Sequence, residues 1–114
     1  MHASNDTGGA RLLYCPCPDR DTALRLAGEL VEQRLAACGN VLPGVTSVFR
    51  YAGAVQHEEE VVLIAKTTAA LATRCATALA AAHPYDCPVV LTLAPDAINA
   101  PALAWLQAEC TGSA

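Results

Sequence analysis

With 114 residues, 54% of them apolar and 16% charged, the chain has room for one domain and too many apolar side chains to be disordered, ordinary soluble domains having about 45 to 50% and about 25%. Seven basic against eleven acidic residues leave a net charge of −4 with no basic run, which excludes the cationic footprint of a nucleic-acid-binding surface. No apolar stretch approaches the roughly 20 residues of a membrane-spanning helix, and the first ten residues lack the basic and apolar regions of an export signal, so a cytoplasmic protein without a membrane partner is expected.

Residues 1–9, with His2, are small and polar and read as a flexible terminus before a single domain over 10–110 and a tail at 111–114. Arg11 to Cys15 is a short apolar run closed by Pro16 and Pro18, which predicts a buried strand. Asp19 offers an N-cap oxygen to a helix reaching about Leu35, in which Ala23, Leu26, Ala27, Leu30 and Val31 recur at helical spacing and Arg25 and Glu29 stand one turn apart.

From Cys38 to Tyr51 the pattern alternates with a kink at Pro43-Gly44, and after the turn at Ala52-Gly53 a second strand runs back from Val55 to Thr67, making a long hairpin. Thr67 and Thr68 are candidate N-caps for a helix ended by His83-Pro84, because the residue before proline is pushed out of the α region. Pro88 to Leu93 reads as a last strand, and a helix starting near Pro101 carries Leu103, Trp105 and Leu106.

The order is β, α, β, β, α, β and a terminal helix: an α+β, ferredoxin-like βαββαβ arrangement with both helices on one face of an antiparallel sheet. Val61 to Ile64 and Val89 to Leu91 are nevertheless apolar at consecutive positions, which point to opposite faces. Helices cover one face, so the other is expected to be covered by further copies of the chain.

Six cysteines stand at 15, 17, 38, 75, 87 and 110. A chain with core residues to spare and no export signal reads as holding buried thiols rather than disulfides. Cys15-Pro16-Cys17 closes the first strand and His83 the second helix; thiolate with imidazole suits copper or zinc, and thiolate favours the cuprous ion. Lys66 lies within an apolar strand, where an ammonium needs a carboxylate such as Glu60 or a wet, anion-binding cleft. Tyr51, Tyr85 and Trp105 read as packing or interface anchors, Glu58 to Glu60 as a solvated edge, and His57 as a surface residue. Cys15 and His83 could pair as nucleophile and base, but no oxyanion donor and no nucleophile motif accompany them, so no catalytic residue is expected.

Leu35-Ala36-Ala37-Cys38-Gly39-Asn40, Pro43-Gly44-Val45-Thr46-Ser47, Gly53, Lys66-Thr67, His83-Pro84-Tyr85-Asp86-Cys87-Pro88 and Trp105-Leu106 are, in order and spacing, similar to the CutA family of divalent-cation tolerance proteins, over about residues 10 to 108. The resemblance implies a tight homotrimer of PII-like architecture. It also implies binding of copper, with zinc or another divalent cation as the other candidate, a role in the response to metal ions, and no catalytic reaction.

On it, Cys15 and His83 match the family's metal-associated positions. Ala82 stands where some members have a second histidine, and Cys17 is an added thiol that could compensate. Lys66, Tyr85, Tyr51 and Glu60 would line an intersubunit pocket, altered here because Tyr51 replaces a usual tryptophan and Val89 a usual glutamate. The competing reading is a PII-like trimeric signalling or anchoring module that binds a small anion in that cleft.

Overall fold

The computed structural model describes residues 9–113, so the expectation of a flexible terminus, His2 included, falls outside it apart from Gly9. Seven elements follow in order: β1 (Ala10–Cys17), α1 (Arg20–Glu32), β2 (Cys38–Tyr51), β3 (Ala54–Thr68), α2 (Ala72–Ala82), β4 (Leu91–Leu93) and α3 (Ala100–Glu109). They form one antiparallel sheet in the order β2-β3-β1-β4, the expected ferredoxin-like topology.

Alternation along the strands decides what each face buries. Leu13, Cys15 and Cys17 of β1 and Leu63 and Ala65 of β3 point to one face, where they pack with Ala23, Leu26, Ala27 and Leu30 of α1 and Cys75 and Leu79 of α2. The in-between positions, Leu12 and Tyr14 with Val62 and Ile64, share the opposite face with Leu91 and Leu93, which remain 50% and 46% exposed. Gly39 sits where β2 passes under α1: a Cβ there would lie 2.8 Å from that of Ala27, so this close approach needs glycine.

The first helix begins as its cap predicts, with the Asp19 carboxylate accepting from the Thr22 N–H at 2.8 Å, which also holds that carboxyl below its ordinary range. Arg25 and Glu29 form the expected one-turn pair at 3.4 Å. The kink at Pro43-Gly44 is a register shift between Leu42 and Val45, where proline has no N–H to give the ladder. The tail is tied down, the Gly112 N–H donating to Arg34 O at 3.0 Å and Arg74 to Gly112 O at 3.1 Å.

Four boundaries differ from expectation, the first being the end of α1, which falls at Glu32 rather than near Leu35. Pro16 does not close β1, because it lies opposite Val62 in a ladder that runs on to Cys17. Thr67 and Thr68 do not cap α2: both belong to β3 opposite Arg11 and Ala10, the Thr67 hydroxyl donates to Leu35 O at 2.6 Å, and α2 starts at Ala72 without a side-chain cap. The last strand covers only Leu91–Leu93 rather than 88–93. Continuing its register would bring Val89 opposite Pro16, which has no N–H and whose carbonyl is already occupied by His83.

The hairpin reaches well past the rest of the sheet. β1 pairs with β3 only from Val61 onward, so residues 45–60 form a two-stranded arm with no third strand beside it. Val48, Tyr51 and Val55 on that arm are 71%, 68% and 65% exposed.

Candidate metal centre

The site lies where the end of β1 meets the end of α2. Cys15 and Cys17, two apart on one strand, put both sulfurs on the helix-covered face, and Pro84 stops α2 so that His83 leaves the helix in an extended conformation. His83 turns back over β1 and contacts Pro16 O through Nε2 at 2.9 Å. The Tyr85 N–H donates to His83 Nδ1 at 3.1 Å, and the two rings lie 4.7 Å apart with their planes tilted by 57°. The ligand atoms of Cys15, Cys17 and His83 all fall within 4.8 Å of one another, and all three side chains are buried.

Electrostatics divides the two thiols. Each sulfur lies near a main-chain carbonyl, Cys15 Sγ 3.7 Å from Pro16 O and Cys17 Sγ 3.6 Å from Cys15 O, and each lies near the other. A hydrogen bond from Cys15 lowers the Cys17 thiol below its ordinary value against the opposing effect of burial. The same bond, then burial and the negative charge of Cys17 and Glu60, raises Cys15 far above it. The two thiols therefore lose their protons in separate steps, Cys17 before Cys15.

Glu60 bears on the cluster through Tyr85, whose hydroxyl donates to its carboxylate at 2.9 Å. Burial first, and that carboxylate second, push the Tyr85 phenol above its usual range. Two sulfurs and an imidazole without a carboxylate ligand are soft donors, and on that chemistry the residues fit copper.

The candidate pocket residues are less concentrated. Within one protomer Tyr85 and Glu60 meet, whereas Tyr51 sits at the arm tip opposite Ala54 and Lys66 near the other end of β3. Glu60 and Lys66 are separated by six residues of one strand, about 20 Å at roughly 3.3 Å each, which rules out the expected ion pair between them within a chain. Ion pairs form elsewhere, between Arg25 and Glu29 and between Arg34 and Glu109.

The sequence did not disclose the Tyr85–Glu60 bond or the grip of His83 on Pro16. Proline between two cysteines was the available signal for the second: it leaves a strand-edge carbonyl without a neighbouring N–H of its own. No helix among the described residues is long and apolar enough to cross a membrane.

The family model described as CutA1 divalent ion tolerance protein matches residues 11–109. A divalent-cation tolerance protein CutA of Thermus thermophilus is 39% identical over 95 residues, 83% of this chain and 91% of that protein. The chloroplastic CutA 1 of rice is 35% identical over 94% of this chain, which spans only 60% of the rice protein's length and 56% of that of human CutA. Among solved structures, CutA1 of Ehrlichia chaffeensis superposes with a TM-score of 0.87 at 30% identity, over 90% of this chain and 96% of its own. CutA of Xylella fastidiosa gives 0.86 at 33%, over 89% and 97%.

Proposed function

Because the chain belongs to the CutA1 divalent ion tolerance family, matched over residues 11–109, we propose that it is a non-catalytic, trimeric copper-binding protein of the cytoplasm that takes part in the response to metal ions, its ion taken in the cluster that Cys15 and Cys17 form beside His83. The observation that carries this reading is the convergence of two thiols and an imidazole within 4.8 Å in a buried site. Such donors are ordinarily scattered through a fold, and here two elements far apart in sequence bring them together. The thiolates supply soft, anionic donors, and the Glu60 carboxylate held by Tyr85 adds negative potential that favours a cation.

Chain-specific features support the trimer: the arm of residues 45–60 and the face bearing Leu91 and Leu93 both leave apolar side chains exposed in a single copy. Copper titration followed by calorimetry tests the binding. The wild type is expected to take one equivalent per chain, and the double variant Cys15→Ser/His83→Ala to bind at least about tenfold more weakly. An isotherm unchanged in the double variant would sink the assignment of the site.

A further inference from the structure

The three donors are not equally free to bind. Cys15 and Cys17 stand side by side on one face of β1, both fully buried, with Pro16 directed to the other face between them. Two metal–thiolate bonds of about 2.3 Å placed in line reach about 4.6 Å, so a single ion fits between sulfurs that lie within 4.8 Å of each other.

The imidazole of His83 is already committed. A neutral ring has one N–H and one lone pair. The Tyr85 N–H, a donor, fixes Nδ1 as the acceptor at 3.1 Å, which places the ring proton on Nε2, 2.9 Å from Pro16 O. To become a ligand the ring must release one of these hydrogen bonds in a buried place, where an orphaned N–H or carbonyl is costly. The Pro16 carbonyl would be left without a donor, because β4 stops short of it and the Cys15 thiol, whose Sγ lies 3.7 Å away, gives up its proton when it binds a metal.

We infer that this site takes copper as the monovalent ion, held between the sulfurs of Cys15 and Cys17, with His83 remaining bound to Pro16 and Tyr85 rather than to the metal. The inference rests on the reading that the cluster binds copper, and it goes further by naming the oxidation state and dividing the donors. Two sulfurs alone satisfy a cuprous ion. They leave zinc short of its four ligands and the cupric ion short of its nitrogen and oxygen donors.

The test uses the reduced full-length protein under anaerobic conditions, with Cu(I) partitioned against bicinchoninate and the loaded wild type measured by X-ray absorption. Cys15→Ser and Cys17→Ser should each weaken Cu(I) binding by at least about 100-fold, whereas His83→Gln, whose amide can replace both hydrogen bonds, should stay within about threefold of wild type. The wild-type copper shell should consist of sulfur without imidazole scattering, a measurement that needs no variant to fold. Unchanged affinity in Cys17→Ser, an affinity loss in His83→Gln as large as in the cysteine variants, or imidazole in the wild-type shell would overturn the inference and hand the ion to Cys15 and His83. A wild type that binds no copper in either oxidation state would overturn the functional reading as well.

Discussion

Cys75 lies in the first turn of α2, fully buried against α1 and the sheet. Burial first, and the negative potential of Cys110 second, push its thiol from 9.0 up to about 12. The folded chain therefore keeps this proton after the unfolded chain has lost it. Its contribution to stability is complete below about pH 9 and declines as pH rises toward 12, by up to about 1.4 kcal/mol per pH unit. Urea unfolding at fixed protein concentration in reductant should show this alkaline slope, and Cys75→Ala should flatten it by that amount while lowering stability at every pH through lost packing. Parallel slopes for the two proteins would show that the thiol does not titrate as its burial requires. The same scale explains what could be read of the site beforehand. Cys15 and His83 stood out because one lies near the end of a strand and the other precedes a proline. The contacts of His83 with Pro16 and of Tyr85 with Glu60 depend on how a loop without secondary structure folds back, and residue spacing carries no record of that.

At the scale of elements, the hairpin turn contains a correctable strain. Ala52 and Gly53 have φ of +53° and +80°, so both central residues are left-handed, as the turn between right-twisting strands requires. Glycine accepts this freely, but alanine brings its Cβ close to the following carbonyl, at a cost of about 1 kcal/mol. Ala52→Asn creates the preferred Asn-Gly pair and should raise stability by about 0.5 to 1 kcal/mol, read as a shift in the denaturant midpoint at constant slope. No stabilisation would mean that the arm tip is held by contacts beyond its own turn. The elements themselves were legible because α1, β2 and β3 carry long, regular patterns. Their errors fell where a local signal met a longer-range pairing. Two threonines that resemble helix caps are claimed by the β1 ladder, and an apolar run fit for a strand is cut to Leu91–Leu93 because Pro16 cannot continue the pairing.

At the scale of the whole molecule, one chain leaves apolar side chains of the arm and of the edge strand uncovered. A two-stranded ribbon without a third strand or a packed helix is marginal in water, yet residues 45–60 extend as one, with Val48, Val55 and Tyr51 each at least 65% exposed. Leu91 and Leu93 face outward on the short edge strand, on the face that α1 and α2 do not cover. Both regions gain if the arm of one copy lies against the open face of the next, and three copies arranged head to tail close such a contact into a ring. A carboxylate at Leu93 would then be forced into an apolar interface while leaving the core of Leu13, Leu26 and Leu63 untouched. Sedimentation equilibrium at micromolar concentration should give the wild type a mass of about 35 kDa, three chains of 11.8 kDa, and Leu93→Asp a mass near one chain with its far-ultraviolet circular dichroism largely retained. If the wild type sediments as a single chain, or if Leu93→Asp assembles as the wild type does, the exposed leucines do not mark the contact and the ring is wrong.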